Sequence, residues 1–77
     1  MTTEHTYKVI ELVGSSSQGV QAAIEGAVAK ASETLSNLDW FEVKEIRGNI
    51  RDGAVAWYQV KVGIGFRVLS PGDLEKE

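Results

Sequence analysis

The segment AVAWYQVKVGIGFRVL, residues 54–69, alternates apolar with polar or small residues along most of its length. Because successive side chains of a β-strand point to opposite faces of a sheet, this alternation predicts a strand with one apolar face. The apolar positions, which we expect to lie beneath a helix, are Tyr58, Val60, Val62, Ile64, Phe66 and Val68. The opposite face then carries Trp57, Gln59, Lys61, Gly63, Gly65 and Arg67.

A hairpin is predicted just before this strand. Asp52-Gly53 is typical of a type I′ turn, in which both central residues need a positive φ. The partner strand is expected to run from about residue 40 to residue 50. On that strand Phe41 and Val43 fit the core face, so Trp40 points to the opposite side of the sheet.

The first half of the chain reads as a strand followed by a helix. Residues 7–13 are rich in apolar, strand-forming residues, and a Gly-Ser-rich break follows them. Ser15 and Gln18 fit the S-x-x-Q capping box, which predicts a helix from there to about Asn37. Its apolar positions, spaced as one buried stripe, are Val20, Ala23, Ile24, Ala27, Ala31, Leu35 and Leu38.

These elements together predict an α+β fold of order β-α-β-β. One helix packs on one face of a three-stranded antiparallel sheet. A single domain should occupy residues 7–69, with a flexible N-terminal segment at 1–6 and a flexible C-terminal tail at 70–77.

Composition limits the function classes that this chain can belong to. The 77 residues include no cysteine, which excludes disulfides and Cys nucleophiles. The only histidine is His5, which excludes a His-rich metal site within one chain. The net charge is −3, which argues against nucleic acid as a partner. Neither a signal peptide nor a membrane-length apolar stretch is visible, so we expect a cytoplasmic protein without a membrane partner.

A domain this small has a limited core, and without disulfides or metals self-association is the expected source of extra stability. The sheet face opposite the helix carries Trp40, an exposed tryptophan of the kind that usually marks a contact surface. If the turn has two residues, Trp40 lies opposite Gly65. That pairing predicts a shelf beside the indole that is wide enough for a flat ring.

Several motifs on this face resemble those of the dodecin family. LDWFEV at residues 38–43, followed by EIRG at 45–48, resembles the signature around the family's flavin-stacking tryptophan. YQV at 58–60 and VGIGFR at 62–67 resemble its last strand, and VGSS at 13–16 resembles its strand-to-helix turn. The likeness extends from about residue 7 to residue 69.

The resemblance implies a hollow homododecamer that binds flavins in pairs at two-fold interfaces, between symmetry-related copies of Trp40. It implies FMN as the cofactor, with riboflavin or FAD as further candidates. Coenzyme A is a further candidate partner, on which the sequence does not decide. The implied role is non-enzymatic storage and sequestration of flavin, with quenching of its excited state. No catalytic residue is implied.

Five residues are candidates for the cofactor site. The indole of Trp40 can stack on the isoalloxazine, although it could instead only fill a subunit contact. Gln59 offers both donors and an acceptor to the ring edge, and Asp39 can add a backbone contact. Arg47 and Arg67 are candidates for the phosphate or the ribityl chain, because arginine presents a planar fork to phosphate oxygens, although each could instead form an ordinary interface salt bridge.

Strand parity places Arg67 on the Trp40 face but Arg47 on the other, unless a bulge intervenes near Gly48. Glu45 is a weaker candidate for the ribityl hydroxyls. Trp57 differs from the smaller or polar residue that the family often has there. It could pack near the ligand or only against a neighbouring chain, and we expect the second.

Two other functions remain open at this stage. A flavin-dependent redox enzyme would need a base, a nucleophile or a redox cysteine near the site, and none is evident. A structural or interaction shell without a ligand is compatible with the helix pattern and the acidic composition.

Overall fold

The computed structural model describes residues 4–69 and confirms the predicted β-α-β-β fold. Its elements are β1 (Thr6–Ser16), α1 (Val20–Ser32), β2 (Leu38–Arg51) and β3 (Ala54–Val68). The strands form one antiparallel sheet in the order β1-β3-β2, with the helix on one face. The predicted tail at 70–77 lies outside the described residues, as do residues 1–3 of the predicted N-terminal segment.

The core lies between the central strand and the helix. Val60, Val62 and Ile64 of β3 are fully buried, as the alternation predicted. They pack against the helix, whose fully buried residues are the alanines Ala23, Ala27 and Ala31. Small side chains on both the helix and the neighbouring strand let the backbones approach closely, and a Cβ at Gly14 of β1 would overlap the Ala23 carbonyl.

The predicted start of the helix is wrong. Ser15 remains in β1, and the N-cap residue is Gly19, with φ 135° and no capping side chain. Ser16 Oγ instead accepts a hydrogen bond from the Gln18 backbone N–H at 2.9 Å. The serines therefore stabilise the turn between strand and helix, a use of Ser that competes with N-capping.

The predicted end of the helix is also wrong. The helix stops at Ser32, and Asn37 has φ 64°, a left-handed conformation that asparagine tolerates better than most residues. Leu38 consequently belongs to β2, yet it still packs against the core from the sheet side. Leu38 therefore fitted the apolar spacing of the predicted helix although it contacts the core from β2.

The hairpin turn is as predicted, but the pairing between β2 and β3 is irregular. Asp52 and Gly53 have φ 54° and 79°, the two positive values that a type I′ turn needs. The pairing of β2 with β3 shifts between Leu38 and Trp40, between Val43 and Glu45, and between Asn49 and Ile50. Each shift changes which face the following side chains occupy.

One helix covers little of this sheet. Phe41 and Val43 lie on the helix side, paired with Ile64 and Val62, yet they are 50% and 41% exposed because the helix packs on β1 and β3. The radius of gyration is 16.0 Å, whereas a compact chain of this length would have about 11–12 Å. Such an open subunit indicates that further copies complete the core.

No helix within residues 4–69 has both the length and the apolar character needed to cross a membrane.

The close approach at Gly14 can be tested by substitution. We expect Gly14→Ala to lower the free energy of unfolding by about 1–3 kcal/mol, because the new methyl group forces the helix away from the strand. Gly26→Ala is the matched control: Gly26 is exposed on α1 with nothing near its missing Cβ, so that change should stabilise by about 0.5–1 kcal/mol. Chemical unfolding at one fixed chain concentration measures both, and equal effects would contradict the packing described.

Candidate functional site

The sheet face that the helix leaves uncovered is referred to below as the open face. It carries four of the five predicted cofactor residues, namely Trp40, Arg47, Gln59 and Arg67. The fifth, Asp39, has no pairing partner on β3. The other four residues form two separate groups on the face. Among residues 4–69, no group of His, Asp and Glu side chains is arranged to hold a metal ion.

Asp39 explains why Trp40 reaches the open face. Leu38 pairs with Phe66 on the helix side, whereas Trp40 pairs with Gly65, so Asp39 is the extra residue of a β-bulge. Without the bulge, residues two apart in a strand would share a face. The exposed Asp39 therefore turns the indole out while Leu38 stays in the core, and its predicted contact with a cofactor stays a prediction.

The indole of Trp40 lies flat on the backbone of Gly65. A Cβ at Gly65 would overlap the Cζ2, Cε2 and Cη2 atoms of the ring. The register with Gly65 is as predicted, but the predicted empty shelf beside the indole is wrong, because the indole itself covers that glycine. With Trp40 39% exposed, the surface left for stacking is the outer face of its ring.

Tyr7 is a neighbour of Trp40 that the sequence reading missed. Their ring centroids are 4.9 Å apart with an interplanar angle of 58°. Tyr7 of β1 pairs with Arg67 of β3, so Tyr7 lies beside both Arg67 and Trp40. The alternation of Tyr7 with Val9 indicated that both side chains share one face of β1. It did not indicate how β1 is aligned with β3, and so it did not place Tyr7 beside Trp40.

Arg47 lies on the open face, so the prediction from simple parity is wrong. A register shift moves the side chains that follow it to the opposite face of the sheet. It occurs at Lys44, between Val43 and Glu45, rather than near Gly48. As a result Arg47 stands directly opposite Gln59, and its Nε donates a hydrogen bond to Gln59 Oε1 at 3.2 Å. This contact was not foreseen, because the face of Arg47 depends on a bulge that the sequence does not mark.

We call the first group the Trp40 cluster, which consists of Tyr7, Trp40, Gly65 and Arg67. Arg67 is half-buried there, and its backbone N–H donates to the Asn37 carbonyl at 3.1 Å. We call the second group the Gln59 cluster. It lines an open depression of about 430 Å³ with Ser15, Gly48, Asn49, Trp57 and Gln59, and Arg47 adjoins it.

The two clusters are far apart within one chain. Residues 59 and 65 are six apart on β3, which corresponds to roughly 20 Å at about 3.3 Å per residue. This distance exceeds the length of a three-ring aromatic system. A flat ring stacked on Trp40 therefore cannot also meet Gln59 of the same chain, although the sequence reading had expected the two side by side.

Charged pairs occupy the strip between the clusters. Lys61 Nζ lies 3.6 Å from Glu45 Oε1, and Lys44 Nζ lies 3.9 Å from Glu42 Oε2. All four side chains are substantially exposed, so each pair contributes at most about 1 kcal/mol. Glu45, a weak candidate for the ribityl chain, is thus paired with Lys61 across the strands.

Comparisons with known proteins agree with the resemblance seen in the sequence. A family model described as Dodecin matches residues 6–69. A dodecin from Thermus thermophilus is 56% identical over 62 residues, covering 80% of this chain and 90% of the relative. Among solved structures, dodecin from Streptomyces coelicolor is 51% identical with a TM-score of 0.84, over 90% of this chain and 99% of that one. Dodecin from Streptomyces davaonensis is 48% identical with a TM-score of 0.83, over 88% and 100% respectively.

The packing of the Trp40 indole on Gly65 can be tested by spectroscopy. In a Trp57→Phe background, Trp40 is the only tryptophan. Gly65→Ala should then displace the ring, shift its emission to longer wavelength and weaken its near-ultraviolet circular dichroism. Gly63→Ala is the control, because its nearest contact is the flexible end of Lys44 at 3.0 Å. Unchanged Trp40 spectra in the Gly65 variant would show that the indole does not lie on that glycine.

Proposed function

This chain belongs to the dodecin family, and on that premise we propose that it is a non-enzymatic flavin-binding protein that stores and sequesters FMN. The observation that carries the proposal is the indole of Trp40, held flat on Gly65 with its outer face open. A planar aromatic ligand is what such a surface accepts best.

The proposed stacking follows from the support beneath Trp40. Gly65 fixes the ring parallel to the sheet, and Tyr7 limits its rotation from one side. Little conformational freedom is then lost when a flat ring binds, which favours affinity. Stacking of an aromatic ring on a tryptophan contributes on the order of 1–3 kcal/mol in comparable base-binding sites.

A second copy of the chain is proposed to complete the site. Because Trp40 and Gln59 lie roughly 20 Å apart in one chain, a ring stacked on Trp40 meets the Gln59 amide of another copy. Two open faces related by a two-fold axis bring the Trp40 cluster of each chain against the Gln59 cluster of its partner. The axis makes two equivalent sites, which agrees with paired flavins between two tryptophans in a homododecamer.

The two arginines fit the polar part of the ligand. Arg67 adjoins Trp40 through Tyr7, and Arg47 adjoins Gln59. In the paired arrangement one arginine from each chain therefore lies near each ring. A guanidinium there can bind phosphate oxygens, which favours FMN over riboflavin, and FAD shares the same ring and first phosphate.

Trp40 also accounts for the proposed protection against light. Bound flavin supplies the light absorption at this site. An electron-rich indole in contact with the ring can donate an electron to it after excitation and take the electron back, so the energy is released as heat.

The stacking role of Trp40 gives a direct prediction. Trp40→Ala should weaken FMN binding by about tenfold to a hundredfold, through loss of the stacking surface. Titration of FMN fluorescence with each variant measures this. Ile50→Ala, which removes an exposed apolar side chain of the same strand outside both clusters, is the matched control and should bind FMN within about threefold of the parent. Equal losses in the two variants would contradict a specific role for Trp40.

The shared site predicts complementation between two defective chains. Trp40→Ala and Gln59→Ala homo-oligomers should each bind FMN weakly. When the two chains are unfolded together and reassembled at equal amounts, about a quarter of the sites should recover native affinity, since each mixed pair contains one intact site.

Separate tagging of the two chains verifies that they have mixed. Failure of verified mixed oligomers to recover native sites would show that Trp40 and Gln59 do not act across two copies.

A further inference from the structure

We infer that Arg47 is a positioning residue that holds the Gln59 amide in one orientation for recognition of the flavin ring edge. The inference rests on the proposed function and deepens it. It gives Arg47 an effect on every ligand with an isoalloxazine ring, including ligands that carry no phosphate.

The geometry of β2 brings the two side chains together. The extra residue at Lys44 puts Arg47 on the open face, in direct register with Gln59. The donor to Gln59 Oε1 is the Nε atom, at 3.2 Å, and not a terminal nitrogen of the guanidinium. The two terminal nitrogens therefore remain on the outer side of the fork, where they can meet other groups.

The amide of an unrestrained glutamine has two orientations that exchange its oxygen and its NH2 group. With Oε1 turned toward Arg47, one lone pair is used by a charge-assisted hydrogen bond and the other remains available. The flipped orientation would lose that bond and place the NH2 group against the guanidinium. Arg47 thus selects a single orientation of the Gln59 amide.

One fixed amide matches one order of groups on the ligand. The pyrimidine edge of isoalloxazine presents an N–H between two C=O groups. The free lone pair of Oε1 can accept from the ring N–H, while Nε2 donates to one of the two carbonyls. The side on which Nε2 lies selects which carbonyl is bound, and so fixes the direction in which the ring lies on the partner's tryptophan.

The test uses lumiflavin, which has the isoalloxazine ring but neither ribityl chain nor phosphate. Arg47→Ala should weaken lumiflavin binding by about threefold to tenfold, because the Gln59 amide is no longer pre-organised. Arg51→Ala is the matched control: it removes the same charge from β2, beside the turn and away from Gln59. It should leave lumiflavin affinity unchanged. Native mass spectrometry verifies that each variant keeps the parent's oligomeric state.

Arg47→Lys separates charge from positioning. Lysine keeps the positive charge but has the methylene Cε where arginine has Nε, so the donor to Gln59 is lost at that atom. We expect this variant to recover much of the FMN affinity through its charge, while lumiflavin affinity stays as low as in Arg47→Ala. In a Gln59→Ala background, Arg47→Ala should have no further effect on lumiflavin, which is the signature of action through Gln59.

If Arg47→Ala weakens FMN binding but leaves lumiflavin binding unchanged, Arg47 acts only as a phosphate ligand. That result overturns the inference. Equal losses with and without Gln59 also overturn it, as does a parent protein that binds FMN but not lumiflavin. A parent protein that binds neither ligand contradicts the proposed function itself.

Discussion

The surface of the sheet exceeds what one helix of 13 residues can cover, and this mismatch governs the rest of the molecule. Six side chains form the whole buried apolar core among residues 4–69, and eleven large apolar residues there stay exposed. A core this small leaves an isolated chain only marginally stable. Association of copies removes the exposed surface from water, so the fold and the assembly depend on one another.

Bulges in β2 bring the residues of the proposed binding site onto this surplus surface. The bulge at Asp39 keeps Leu38 in the core while turning Trp40 outward, and the shift at Lys44 turns Arg47 toward Gln59. A regular strand would have placed Trp40 and Leu38 on the same side. Local irregularity of one strand therefore keeps Leu38 in the core and places the proposed ligand-binding residues on the open face, within a few positions of each other.

Much of the fold followed from the sequence, whereas the arrangement of the site did not. The alternation in β3 and the Asp52-Gly53 turn are local signals, and both predicted the structure correctly. The predicted helix ends and the predicted side of Arg47 were wrong for one shared reason. Gly19, Asn37 and Lys44 adopt backbone conformations that interrupt a regular helix or strand and that the hydrophobic pattern does not mark. The separation of Trp40 from Gln59 could have been calculated from their strand register, but strand parity alone made them appear adjacent.

We propose that a flat cofactor binds between two open faces and does not bind to the isolated chain. Native mass spectrometry of the intact particle saturated with FMN separates these two states. We expect a homododecamer that carries one flavin per chain, and no flavin on any monomer released from it. Monomers that retain FMN, or an oligomer that remains free of flavin at saturation, would show that two open faces do not form the site.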